Sequence, residues 1–455
     1  MNPKPPLSRR FIDVPKIVSE GRTREFFPRL LPNIETIRGT DFPLFGANGR
    51  VYLDSGATSQ EPKTVMERMM NYRTSTIRGS NHSKMSVEAR RAQEEYENAK
   101  SKLRRFFEAN NYHIVFTSGT TGSSNLLATR FAYDRDTVVL MTGAEHNSQI
   151  VTARNFASAS GVRYGYVPVS LDGRMDIDKL RYVTRQHTGT ILLNLVHVSN
   201  VTGVVNDVEM IRKAVGDRVF IYLDMAQSAG HIPIDLDSLG VDFAGVSAHK
   251  MYGPTGIGAF FVSERGERHL TNLVSGGSAV NLVSENVIAY ANSPERFEPG
   301  TQNIEGAIEW GYALDYLSYI GMVKIAAHDE ELGEYFGQEL AKIGGLILHS
   351  PNTTEGRVPI FVFNMRSLHY TDLAKELDDR GISVRDGCFC AHLLMSRLLG
   401  KPPEVMDLMA SLFAATGGDP SMLPGAVRAS FAFYNNLQDA HKAVMTINAI
   451  AERYW

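Results

Sequence analysis

Residues 242–258 read DFAGVSAHKMYGPTGIG. The apolar run FAGVSA has strand composition and ends on Ser247, His249 and Lys250. A Gly-Pro and Gly-x-Gly turn then leads into a second strand-like run, IGAFFV. A lysine in a turn is ordinarily solvated. One squeezed between His249 and glycine-rich backbone is partly desolvated, so its pKa falls and its amine becomes available as a nucleophile.

On the N-terminal side, strand-like runs alternate with helical patterns: HIVFTS, TVVLMTG, RYGYVPV, TILLNLVHVS and VFIYLD, with NSQIVTARNFASA and DVEMIRKAV among the helices between. VEARRAQEEYENAKSKLRRFFEA spaces its apolar residues as an amphipathic helix does. Strands alternating with helices predict an α/β fold, a mostly parallel sheet covered on both faces. In such sheets ligands sit beyond the carboxyl ends of the strands, where the polar clusters of this chain fall. After about residue 310 helices predominate around fewer strands, VPIFVFNM and AVRASFAFYN. The expected organisation is an N-terminal arm over 1–45 that joins the small domain, a large domain over 46–310, and a smaller C-terminal α/β domain over 311–455.

The 455 residues are 43% apolar and 21% charged, with a formal net charge of −3. That balance argues against binding to nucleic acid or a membrane surface. No run approaches the ~20 apolar residues of a membrane span. The N-terminus shows no secretory pattern. The two cysteines, Cys388 and Cys390, do not make a disulfide framework. The expected compartment is the reducing cytoplasm.

Other strand ends carry chemistry of their own. VFIYLDMAQSAGH places Asp224 at a strand end with Gln227 three residues on; a carboxylate there is also an ordinary loop cap. FTSGTTGSSN brings Ser118, Gly119, Thr120, Thr121 and Gly122 to a helix start, which suits an anion such as phosphate and equally suits simple capping. His146, in GAEHNSQIV, sits at another strand-to-helix junction, where histidines are often structural. Together these residues meet the needs of a phosphate-bearing pyridine aldehyde: a lysine for a Schiff base, an acid for the pyridinium nitrogen, a phosphate cradle and a flat group for the ring face.

Ten stretches in order carry a resemblance to a known family: YLDSGATSQEP, RGSNHSKMSVEAR, FTSGTTGSSNLLA, EHNSQIV, HVSNVTGVV, LDMAQSAGHIPID, DFAGVSAHKMYGPTGIG, RFEPGTQN, VRDGCFCA and VRASFAFYNN. From about residue 50 to the C-terminus the chain resembles the class V, fold-type I enzymes dependent on pyridoxal 5'-phosphate. It is most similar to the cysteine desulfurases and selenocysteine lyases of the sulfur-mobilisation branch. The resemblance implies a large domain with a seven-stranded, mostly parallel sheet and a smaller C-terminal domain holding a cysteine loop.

It also implies roles. Lys250 would carry the cofactor and move protons at the substrate Cα. Asp224 would pair with the ring nitrogen, Gln227 with the ring hydroxyl, and His146 would stack on the ring. Thr120, Thr121, Ser247 and His249 would hold the phosphate. Asn200 would lie near the ring and the substrate amine, and His82 and Arg428 would join it in binding substrate, with Arg428 on the carboxylate. Thr301 would reach the phosphate of a neighbouring subunit, implying a homodimer. Cys390 would accept sulfur as a persulfide, releasing alanine from L-cysteine and passing the sulfur to an acceptor the sequence does not name. Arg385 would favour its thiolate. No metal is implied.

The chain departs from that pattern in places. Cys388 and Phe389 stand where the branch usually has two histidines, and the resulting GCFC sequence resembles that of the related molybdenum-cofactor sulfurases. Cys388 is open to three readings: a sulfur relay, a strained disulfide partner or a passive substitution. Gly122 replaces a glutamate, and EHNSQ replaces EHHSN. The segment between Cys390 and Arg428 is long, and Met406, Leu408, Met409, Leu412 and Phe413 suggest a short apolar helix, either a packing element or a lid or docking surface. Cys390 as an inert buried thiol, another class V enzyme such as a C–S lyase, selenocysteine lyase or epimerase-like enzyme, and a non-catalytic scaffold or metal-binding partner using the paired cysteines, to which His392 could add a ligand, remain as alternatives.

Overall fold

The computed structural model describes residues 11–81, 85–271, 275–353, 355–419 and 423–454, with the backbone alone at 46 and 47. Its central sheet has seven strands in the spatial order Tyr112–Thr117, Gly258–Ser263, Phe243–Ser247, Val219–Asp224, Ile191–Val196, Val138–Thr142, Arg163–Val167. Gly258–Ser263 runs antiparallel to both neighbours, and the five strands beyond it are mutually parallel. Four of those five, all but Arg163–Val167, are buried at every position. Burial on both faces explains why their sequences are continuous apolar runs rather than alternating ones. Arg163–Val167 is the edge strand and is largely exposed.

The connections return at the carboxyl ends of the parallel strands. They deliver Glu145 and His146 after Val138–Thr142, Asn200 after Ile191–Val196, Asp224 at the end of its strand, and His249 and Lys250 in a short 3-10 turn after Ser247.

A second, antiparallel sheet has the order Leu346–Leu348, Ile360–Met365, Ala426–Ser430, Arg385–Gly387. A core cluster containing Phe361, Phe363, Leu373, Val427, Phe336 and Ile447 joins it to the helices Met322–Leu340, Tyr370–Asp379 and Leu437–Tyr454. Val51–Tyr52 pairs in parallel with Ile382–Ser383, and Asp54 bridges to Ser430. The SGAT turn after Asp54 is thereby brought against the strand that carries Arg428.

The described part of the arm, residues 11–47, forms four short helices. Val14, Ile17, Phe27 and Leu30 pack into the second core, whereas Leu31, Ile34, Ile37 and Phe42 pack into the first. Arg29 meets Glu330, Glu331 and Glu334, and Arg38 pairs with Asp439 at 2.7 Å. The apolar segment after Cys390 does form a helix, Pro403–Thr416, but none of its residues is buried and Leu408 is 71% exposed.

Candidate active site

Between the carboxyl ends of the central sheet and the second sheet lies a cavity of about 300 Å³. Thr120, Thr121, His146, Asn200, Asp224, Gln227, Ser247, His249, Lys250, Cys390 and Arg428 all line it. Thr301 is exposed and is not among the lining residues. His82 lies outside the described residues.

One end of the cavity is built to receive an anion. Gly119 has φ +142, a conformation L side chains rarely adopt, and a Cβ there would stand 3.1 Å from Ser247 Oγ. That turn lets the Thr120–Arg130 helix start beside Ser247 with no side-chain cap. Thr120 N–H donates to Ser247 Oγ at 2.8 Å, and the two hydroxyls lie 2.9 Å apart. A Cβ at 122 would come 2.8 Å from Ser118 Oγ, so glycine suits that position. The open N–H groups of a helix start favour negative charge.

Asp224 forms the floor. Its Oδ1 accepts the Ala226 N–H at 2.9 Å and its Oδ2 accepts Gln149 Nε2–H at 3.2 Å. Burial pushes its pKa up, opposed by the Ala226 N–H, the Lys250 charge and Gln149. Lys250 is its counterpart: burial pulls the ammonium down to about 8, against the attraction of Asp224 and with the help of the Arg428 charge. Gln227 is fixed by donating Nε2–H to the Gly56 carbonyl at 2.7 Å.

His146 is the N-cap of the Asn147–Ala159 helix. Its Nδ1 accepts the Ser148 N–H at 3.1 Å, which places the neutral ring's proton on Nε2. Burial, then the charges of Lys250 and Arg428, lower it to about 4, so the ring is an uncharged plane at neutral pH. His249 is lowered to about 4 by burial and the Lys250 charge.

The opposite wall comes from the second sheet. Arg428 is buried; its Nη1 donates to the Asn200 carbonyl at 3.0 Å and its Nη2 to Asp54 Oδ1 at 3.1 Å. The Phe389 ring lies 5.2 Å from Cζ, and a Cβ on Gly56 would meet Cζ at 3.1 Å. The glycine at 56 and the Phe389 ring thus leave room for the guanidinium between the two sheets. Its Nε–H and Asn200 Oδ1 are buried without partners among the described residues.

Phe389 and Cys390 both adopt left-handed backbone, φ 54 and 52. Such residues persist only where surrounding contacts hold them. Here Asn200 Nδ2 donates to the Phe389 carbonyl at 2.6 Å, and the Asn147 N–H donates to the Cys390 carbonyl, also at 2.6 Å. The turn brings exposed Cys390 to the cavity mouth and points Cys388 the other way. Cys388 Sγ–H donates to the Pro424 carbonyl at 2.8 Å, and burial pushes that thiol up to about 11. Of the readings of Cys388, its half-buried packing beside Phe389 favours the passive one. Arg385 lines the cavity directly opposite Arg428 in the sheet.

Sequence reasoning did not single out Asp54 or Gln149. Both lie in the matched stretches YLDSGATSQEP and EHNSQIV, but only the contacts of the folded chain give them a part.

Residues 51–442 match the family described as aminotransferase class-V. A probable cysteine desulfurase of Streptomyces coelicolor is 33% identical over 379 residues, covering 80% of this chain and 90% of the relative. A cysteine desulfurase of Haloferax volcanii is 32% identical over 415 residues, covering 89% and 90%. Among solved structures, an apo cysteine desulfurase from Thermococcus onnurineus superposes with a TM-score of 0.82 at 29% identity, covering 92% of this chain and 98% of that one. A cysteine desulfurase from Escherichia coli gives 0.78 at 27% identity, covering 93% and 100%.

Proposed function

The chain belongs to the aminotransferase class-V family, and from that premise we propose that it is a pyridoxal-phosphate-dependent cysteine desulfurase. It would convert L-cysteine to alanine and hold the sulfur on Cys390 for an acceptor. The observation that carries this reading is the meeting, in one cavity, of a low-pKa lysine, a buried aspartate, a buried arginine with a free N–H and an exposed cysteine.

The cavity suits the cofactor on its own chemistry. It offers an uncapped helix start beside two hydroxyls, a buried carboxylate on the floor and a neutral imidazole plane. Thr120, Thr121, Ser247 and His249 would hold the phosphate, Asp224 the ring nitrogen, Gln227 the ring hydroxyl, His146 the ring face and Lys250 the aldehyde carbon. Pyridoxal phosphate, when bound, supplies an electron sink for charge developing at the substrate Cα.

The rest is done by the chain's residues. Arg428 orients the substrate by taking its carboxylate in the guanidinium plane, where Nε–H is free. Asn200 Oδ1, also free, accepts from the substrate amine. Lys250, with its lowered pKa, takes and returns the proton at Cα. The Cys390 thiolate attacks the substrate sulfur. The S–S bond forms as the Cβ–S bond breaks, the electron pair stays with carbon, and protonation there gives alanine. Cys390 stands at the mouth, where its persulfide is open to an acceptor. Thr301, exposed and away from its own cavity, fits a role toward a second copy of the chain.

The test is to supply pyridoxal phosphate, L-cysteine and a reductant and to quantify alanine and sulfide together. Equal yields that vanish in Cys390→Ala, with cofactor retained, support the desulfurase. Turnover of cysteine undiminished in Cys390→Ala, or turnover of another amino acid alone, points instead to another class V activity.

A further inference from the structure

Behind the cavity floor, Gln149 is buried on the Asn147–Ala159 helix at 1% exposure. Its Nε2 donates one N–H to Asp224 Oδ2 at 3.2 Å and the other to Ser124 Oγ. Both hydrogens of the amide are therefore committed, while its Oε1 is buried with no partner among the described residues. Ser124 Oγ–H donates in turn to the Thr120 carbonyl at 3.0 Å, and the Tyr222 hydroxyl lies 3.3 Å from Ser124 Oγ. Thr120 opens the helix whose start forms the anion cradle. One side chain thus joins the carboxylate on the floor to the helix at the phosphate end.

The surroundings of Asp224 explain why an amide suits this place. Lys250 faces it from the cavity, and Glu145 lies on the sheet side with Oε2 buried and unpartnered. Tyr222 adds a phenol held neutral by burial. A carboxylate at 149 would crowd a third acid beside Asp224 and Glu145. A neutral amide instead donates to Asp224 without adding charge. Among the described residues, Asp224 otherwise has only the Ala226 N–H on its other oxygen. Losing the Gln149 donor would leave a buried carboxylate one hydrogen bond poorer and easier to protonate.

We propose that Gln149 is a positioning residue that acts through Asp224: it keeps that carboxylate ionised and aimed at the cofactor's ring nitrogen, in register with the phosphate cradle. This rests on the pyridoxal phosphate reading above. It is tested by equilibrium titration of apoprotein with two probes, pyridoxal phosphate and its analogue with carbon in place of the ring nitrogen. Gln149→Met removes both donors at similar size. Gln149→Leu also removes both donors, with a branched side chain, and serves if the first variant folds poorly.

Unmodified protein is expected to prefer pyridoxal phosphate. Each variant should lose about tenfold of that preference, as expected for a hydrogen bond to a charged group, while Kd for the carbon analogue stays within about twofold. Equal weakening of both probes, which a merely structural role would give, overturns the inference, as does an unchanged preference. If unmodified protein binds neither probe, the cofactor reading falls and takes the inference with it; if it binds both equally, Asp224 does not read the ring nitrogen and the inference alone falls. The two failures are told apart by whether the unmodified protein binds the probes at all.

Discussion

The lowered pKa of Lys250 leads to a quantitative prediction about the unliganded protein. Burial brings the ammonium down to about 8, opposed by Asp224 and assisted by Arg428. At about pH 7.5 roughly a quarter of Lys250 is neutral, against about a thousandth of an ordinary lysine, a gain of about 200-fold in nucleophile. The rate at which apoprotein forms a borohydride-reducible adduct with pyridoxal phosphate should rise with pH and level off above an inflection near 8. Signs for two variants follow from the charges. Asp224→Asn removes the anion that favours the ammonium, so the inflection moves lower. Arg428→Met removes a repelling cation, so it moves higher. Rapid mixing across a pH series, with the site of labelling confirmed by peptide mass, measures all three. Only the position of the inflection is read, so weaker binding in a variant does not confuse the result. An inflection above about 10 in the unmodified protein, or both variants moving the same way, would refute the reasoning.

Arg428→Lys keeps the charge but cannot reach the Asn200 carbonyl and Asp54 while offering a planar edge; kcat/KM for L-cysteine should fall about 100-fold, chiefly through KM, and an unchanged KM would count against the carboxylate clamp. Iodoacetamide at neutral pH should label exposed Cys390 and spare Cys388, whose thiol is half-buried, bonded to Pro424 and pushed up to about 11; peptide mass analysis reads the ratio. Gly119→Ala places a Cβ 3.1 Å from Ser247 Oγ at φ +142, so it should cost about 1–3 kcal/mol of stability, seen as a lower Tm, and weaken binding of inorganic phosphate as well as of the cofactor.

The large sheet was legible in the sequence because doubly covered parallel strands must be apolar at every position. Runs such as ILLNLV and VFIYLD therefore announce themselves. The candidate cofactor residues were legible for a related reason. Each of those that line the cavity sits within a few residues of a strand end, and the strand's direction sets where that end lies; Thr301 does neither. The antiparallel run of Gly258–Ser263 among parallel neighbours was not legible, because periodicity records burial but not direction. Nor was the arm's division between two cores, since Leu30 and Leu31 are adjacent and equally apolar yet face different partners.

The sequence alone determined the α/β architecture, the lysine-bearing turn and the set of polar residues gathered at one edge of the sheet, since each depends on neighbours close in the chain. The tertiary structure decided the rest. The Cys390 side chain faces the cavity because Asn147 and Asn200 hold a left-handed turn, and Cys388 turns away to a carbonyl 36 positions further on. Asp54 reaches Arg428, and Gln149 reaches Asp224, across 374 and 75 positions. Such contacts join groups that no local pattern relates, and they form only when the packing of both cores has brought their backbones together.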